Sequence, residues 1–262
     1  MRFISTVFLS LIIFSCNSKE EQPGAATAGA TISEEIRLKN AIKKYPDSFL
    51  LVRNLAGLYL EAENYDAATA VIDNAISANS GNPDLWDLRS AVLVSKGDTL
   101  QAIASLEKAI DLYPLPHYII SLGALYAETK NPMALEMADA LLIGNKANAE
   151  KEAFFIKGLF YSFSGQQEKA LPFFDRSLSV DPRFMEAYLE KGLALYQLKK
   201  YNDAVNVLTK AVTLQNNFDR GYYYLGQCYE KLNRKADAAE AYRKALLYDP
   251  NYIEAKQALE NL

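Results

Sequence analysis

The sequence predicts an all-α fold, a solenoid of stacked helix pairs, and three observations carry that prediction. The first is a period. Small residues recur every 34 positions: Ala41, Ala75, Ala109, Ser177, Ala211 and Ala245 form one rail, Ala56, Ser90, Ala124, Gly158, Gly192 and Gly226 a second, and Ala68, Ala102, Ala170, Ala204 and Ala238 a third. The second is an apolar stripe at helical spacing. Large residues stand four positions before the second rail (Val52, Trp86, Ile120, Phe154, Tyr188, Tyr222) and three after it (Tyr59, Leu93, Tyr161, Leu195, Tyr229). The third is punctuation: the fifteenth position of each unit holds Glu63, Gly97, Asn131, Gly165, Lys199 or Asn233, most of which suit a break between two helices. A two-helix unit cannot bury its stripe alone, so neighbours stack and share one core.

Taken in chain order, the first element is not part of that core. Met1-Arg2 followed by the apolar run Phe3 to Phe14 is too short for a spanning helix, which needs about 20 residues, and fits a secretory signal over residues 1–15. Residues 16–31, Cys-Asn-Ser-Lys-Glu-Glu-Gln-Pro-Gly and then an Ala/Thr/Gly run, cannot bury a core and are expected to form a flexible tether. Residues 32–48, with Ala41 and Pro46, look like the second helix of a half repeat covering the first full unit. Six units follow at 49–82, 83–116, 117–150, 151–184, 185–218 and 219–252, and 253–262 begin a closing helix. Pro172 is expected early in a second helix, where a missing amide donor is tolerated.

Residues 219–252 carry Tyr222, Leu225, Gly226, Tyr229, Ala238, Tyr242, Ala245 and Pro250, and 151–184 carry Phe154, Gly158, Tyr161, Ala170, Phe174, Ser177 and Pro182. This pattern resembles the tetratricopeptide repeat. Five units match in phase. Lys157 and Lys191 stand where Leu is usual, and Ser80 and Asn216 replace the closing Pro. In 117–150, Ala127, Glu136 and Ala140 fall on the slots for Tyr, Ala and Phe, so that unit reads as degenerate. The resemblance implies a right-handed α-α superhelix whose first helices line a concave face. One step round from the packing stripe, that face would carry Phe155, Leu159, Leu189, Leu193, Tyr196, Tyr223, Tyr224 and Gln227, an apolar and aromatic groove for a protein or peptide ligand; the alternative, for Leu159 and Leu193 above all, is packing between adjacent first helices. The basic clamp by which some relatives hold a C-terminal acidic peptide is not met. Arg53 and Asn54 are its only echo, and an amphipathic helix or extended apolar segment suits the groove better.

Ile13-Phe14-Ser15-Cys16 also resembles the bacterial lipoprotein signal, which implies lipidation at Cys16 and a membrane held through acyl chains, each contributing roughly 0.8 kcal/mol per buried methylene. Asn17, in place of the Asp that retains some lipoproteins in the inner membrane, points to the outer membrane, on its periplasmic face or at the cell surface. Removing residues 1–15 takes away Arg2 and moves the formal net charge from −4 to −5, with no basic stripe for nucleic acid. Cys228 reads as a small buried hydrophobe. His117, the only histidine, lacks the partners of a ligand or a base. No metal spacing, phosphate loop or nucleophile elbow appears, so no cofactor, small-molecule substrate or catalysis is expected. The function expected is a membrane-anchored interaction scaffold supporting assembly of an envelope complex. The alternative is a non-catalytic organising subunit of a periplasmic or surface glycan or cell-wall enzyme complex.

Overall fold

The computed structural model of the chain describes residues 28–144 and 146–262. The signal sequence, the lipid site at Cys16 and most of the tether lie outside the described residues. Fourteen helices and no strand occur among those residues. They are α1 (Ala28–Lys44), α2 (Phe49–Glu61), α3 (Tyr65–Ala78), α4 (Pro83–Lys96), α5 (Thr99–Leu112), α6 (Pro116–Glu128), α7 (Met133–Gly144), α8 (Lys146–Phe163), α9 (Gln167–Val180), α10 (Met185–Gln197), α11 (Tyr201–Leu214), α12 (Asp219–Lys231), α13 (Lys235–Tyr248) and α14 (Ile253–Glu260). Helix α1 begins four residues inside the stretch expected to be tether. Two compact units divide inside α6, between Leu122 and Gly123.

Each pair of helices turns on one residue in the left-handed region: Glu63, Gly97, Lys130, Gly165, Lys199 and Asn233, with φ between 54° and 84°. At the residue after each turn residue an amide donates back across the turn, as Asn64 N to Tyr59 O, Gln166 N to Tyr161 O and Lys200 N to Leu195 O. This closure satisfies carbonyls that the helix end leaves open. Five of the six turn residues are those the sequence pattern picks out; the third is Lys130 rather than Asn131.

In the first unit, Val52, Ala56, Ala68, Ile72, Ile76, Leu85 and Val92 form the core of α2, α3 and α4. The half repeat is tied to it where Tyr59 Oη donates to Glu35 Oε1 at 2.7 Å and Leu38 of α1 is buried. In the second unit, Leu189, Leu195, Ala204, Leu208, Val212, Leu225, Cys228 and Ala241 make the corresponding core of α10 to α13.

The second rail is where the two helices of a repeat meet most closely. A methyl placed on Gly192 would stand 2.7 Å from Cδ2 of Leu208; one on Gly158 would stand 2.5 Å from the Phe174 ring, and one on Gly226 would run into Tyr242. The rail is small because the opposite helix places a large side chain against it, at contact distances that leave no room for another carbon.

The lysines at 157 and 191 have a reason as well. Lys191 Nζ reaches Asp175 Oδ1 at 2.5 Å and Lys157 Nζ reaches Asp139 Oδ1 at 2.6 Å, and Arg89 Nε makes the same contact with Asp73 at 2.7 Å. A cation on each of these three first helices thus pairs with an aspartate on the second helix of the preceding repeat. The aspartates are about half exposed, so each pair is worth at most about 1 kcal/mol. The apolar residue usual at this slot has been exchanged for a repeat-to-repeat ion pair.

The unit at 117–150 is shifted rather than degenerate. Its turn bond runs from Asn131 N to Tyr126 O, so Tyr126, not Ala127, fills the tyrosine slot, one residue early. On α7 the buried positions are Ala134, Ala138 and Leu141, two residues before the period, while Glu136 and Ala140 are exposed. The Lys157–Asp139 pair shows the same slip: it spans 18 residues, where the other two such pairs span 16. The shift begins at the start of α6. Pro116 opens that helix one residue early, the left-handed turn follows one residue early at Lys130, and Asn131 Oδ1 accepts from Met133 N at the start of α7. The two residues are regained because α8 extends back to Lys146. Pro172 is a further departure from expectation. It stands sixth in α9, beyond the first turn, and removes the donor that would bond the carbonyl of Glu168.

Candidate functional site

The first helices of the second unit lie side by side, α8 against α10 and α10 against α12. The structure divides the eight residues expected to line their outer face. Phe155, Leu159 and Leu189 are buried at 1%, 3% and 0% exposure. They are core, not groove: Phe155 packs its ring 4.9 Å from Phe184 and 5.9 Å from Phe174, and Leu189 sits in the α10–α13 core. A step of one residue on a helix turns about 100°. Where two first helices touch, that step still falls within the contact.

Leu193, Tyr196, Tyr223, Tyr224 and Gln227 are half-buried and form the part of the face that a partner can reach. Leu193, Tyr196 and Tyr224 rest against the core cluster. Tyr223 is held by other rings instead, 5.0 Å from Tyr224, 4.9 Å from Tyr252 and 5.8 Å from Tyr242. Gln227 Nε2 donates to Tyr223 Oη at 2.8 Å, one helical turn along α12. Burial pushes the Tyr223 hydroxyl up to about 12, so it stays neutral. Tyr222, assigned to packing, is also half-buried; it stacks on Tyr248 at 5.9 Å with Lys244 over its ring. Arg53 and Asn54 are exposed on α2 in the other unit.

Charged residues that the apolar pattern does not reveal stand beside this strip. Glu190 on α10 is 6% exposed, and burial raises its carboxyl to about 7; Arg220 acts against the rise and Glu128 adds to it. Tyr224 feels Arg220, Glu190 and Glu254, and Tyr252 feels Arg220 and Glu254, so these groups form one neighbourhood. One signal was available in the sequence. Glu152, Glu186, Arg220 and Glu254 occupy the same repeat position at 34-residue intervals. Cys228 is buried, its thiol pushed up to about 12, and His117 is exposed. Among the described residues no group of His, Cys, Asp and Glu is placed to hold a metal, and no helix is long and apolar enough to cross a membrane.

Helix pairs of 34-residue period, joined by left-handed turns and presenting a side-chain strip on their first helices, define an α-helical repeat protein of the protein-interaction class. Tetratricopeptide repeat models match residues 37–92, 83–114, 151–184 and 219–252, and a TPR repeat model matches 192–233. The chain belongs to the tetratricopeptide repeat family. A DnaJ homolog subfamily C member 7 homolog of Dictyostelium discoideum is 26% identical over 205 residues, covering 72% of this chain and 38% of that protein. The chain spans less than two fifths of the length of this relative. A tetratricopeptide repeat protein of Parabacteroides merdae shares the fold with a TM-score of 0.72 at 22% identity, over 88% of this chain and 92% of that one. PilW, a type IV pilus biogenesis factor, does so with a TM-score of 0.62 at 20% identity, over 80% and 97%. Repeats of this family serve as scaffolds for protein–protein interaction.

Proposed function

We propose that the chain is a membrane-anchored scaffold, a lipoprotein of a bacterial outer membrane that docks an apolar or amphipathic segment of a partner and so supports assembly of an envelope complex. The observation that carries the docking is the half-buried strip Leu193, Tyr196, Tyr223, Tyr224 and Gln227 on adjacent first helices. Tyrosine offers rigid apolar area with a polar tip and is enriched among binding hot spots. Attachment rests on the pattern Ile13-Phe14-Ser15-Cys16 and its preceding apolar run. The chain after Cys16 serves as the tether.

Two measurements test this reading. The wild-type protein is expected to label with a palmitate analogue and to sediment with membranes, and Cys16→Ser to do neither. Carbonate-resistant membrane association of unlabelled Cys16→Ser would mean that residues 3–14 stay on as an anchor, against lipidation. Tyr223→Ala combined with Tyr224→Ala is expected to weaken partner capture by at least about 2 kcal/mol, the hot-spot scale. Undiminished capture by the double variant would move the docking surface elsewhere.

A further inference from the structure

We infer that the first-helix face of the second unit recognises a basic side chain, lysine or arginine, within the docked segment, and seats it at Glu190 among the rings of Tyr224 and its neighbours. The inference rests on the docking reading above and narrows it to one chemistry.

Glu190 is the starting point. It is more than nine-tenths buried on α10, and no hydrogen bond or ion pair reaches its carboxyl among the described residues. Buried carboxylates are ordinarily paired, because an unpaired one loses its hydration without compensation. The opposite charge that acts on it is Arg220, and Arg220 is shared: Tyr224 and Tyr252 feel it too, and Glu254 stands in the same neighbourhood. Beside that one guanidinium, carboxyls from three helices of the unit act on the same groups: Glu128 on Glu190, and Glu190 and Glu254 on Tyr224. Further along the same repeat position, Glu152 has a buried Oε2 with no hydrogen-bond partner; its Oε1 lies 3.8 Å from Lys151, a cation that it shares with Asp181, at 2.7 Å. The face is short of cations.

A ligand cation would fit this deficit. Its ammonium or guanidinium supplies the charge that Glu190 lacks. The tyrosine faces stabilise a cation by their quadrupole, and Leu193 and Tyr196 offer apolar surface for the aliphatic stem. An acidic segment, by contrast, would meet the unpaired carboxyls and be repelled. The recognition is therefore of opposite sign to a basic clamp on an acidic peptide.

The test uses the full chain and a displayed library of random twelve-residue peptides. Selection is expected to return peptides with Lys or Arg flanked by apolar or aromatic residues. For the tightest of them, followed by fluorescence anisotropy, Kd should rise at least tenfold in Glu190→Gln and at least tenfold when its basic residue is replaced by norleucine. In Arg220→Gln, which removes the competing cation, Kd should fall. Glu190→Gln keeps shape and removes a charge, and the opposite-signed Arg220→Gln guards against a mere loss of folding. Peptides without basic enrichment that bind Glu190→Gln as tightly as wild type would overturn the inference and leave apolar docking standing. If no selected peptide depends on Tyr223 and Tyr224, the docking reading falls and this inference with it.

Discussion

Gly192→Ala places one methyl group where the structure has no room for it. The new Cβ would stand 2.7, 2.8 and 3.2 Å from Cδ2, Cγ and Cδ1 of Leu208. Leu208 has no exposed surface and is enclosed by the α10–α13 core, so it cannot swing aside into solvent. Inserting a carbon into a packed contact costs about 1–3 kcal/mol. Replacing glycine by alanine inside a helix returns about 0.5–1 kcal/mol through backbone entropy. Gly57→Ala separates the two contributions, because a Cβ there meets nothing within 4 Å on helix α2. It should therefore stabilise by about 0.5–1 kcal/mol. The difference between the variants, read from urea unfolding followed by circular dichroism, should approach the full overpacking cost. A third variant closes the argument. Leu208→Ala alone should cost about 2–5 kcal/mol by leaving a cavity, and in that background Gly192→Ala should be neutral or favourable. If Gly192→Ala stabilises as much as Gly57→Ala, or if the two core changes simply add, the glycine rail is not a packing contact.

Three further outcomes follow from local features. Glu190 keeps its proton in the folded chain up to about pH 7, whereas unfolded it ionises near 4.5, so burial of its charge lowers stability as pH rises between those values. Glu190→Gln should thus add about 3 kcal/mol at pH 8 and nothing near pH 4, and equal gains at both pH values in urea titrations would refute the assignment. Pro172→Ala restores the donor to the carbonyl of Glu168 at an exposed position, and should raise stability by about 1–3 kcal/mol; a lowered melting temperature would show that the proline is packed to purpose. Lys199 holds φ +60° at its turn, so Lys199→Gly should stabilise by up to about 1 kcal/mol, and a loss in the melt would mean that the side chain contributes more than the strain it bears.

The candidate site was legible in part, and the division has a cause. Tyr223, Tyr224, Leu193, Tyr196 and Gln227 keep accessible surface, as the repeat position predicts, but Phe155, Leu159 and Leu189 do not. Repeat position gives the direction of a side chain from its own helix and nothing about the next helix, which decides whether that direction ends in solvent or in a ring such as Phe184. Glu190 was missed for the same reason. As one glutamate among many on a helix it reads as solvated, and only the packing of α10 in its unit buries it. The acidic positions at 152, 186 and 254 were visible as a period, but an apolar pattern gives no cause to look for them.

What the sequence determined by itself is what a fixed chemical period can encode: helix pairs, five of six turn residues, and small residues facing large ones, because each depends on contacts within one repeat or with its neighbour. The third unit marks the boundary of that reasoning. A strict count of 34 places Ala127, Glu136 and Ala140 in the packing slots, and the folded chain uses Tyr126, Ala134 and Ala138. Counting residues cannot detect a slip that one helix start introduces and a later extension repays. The tertiary structure detects it, since burial and turn closure depend on where a side chain lies in space rather than on its number in the chain.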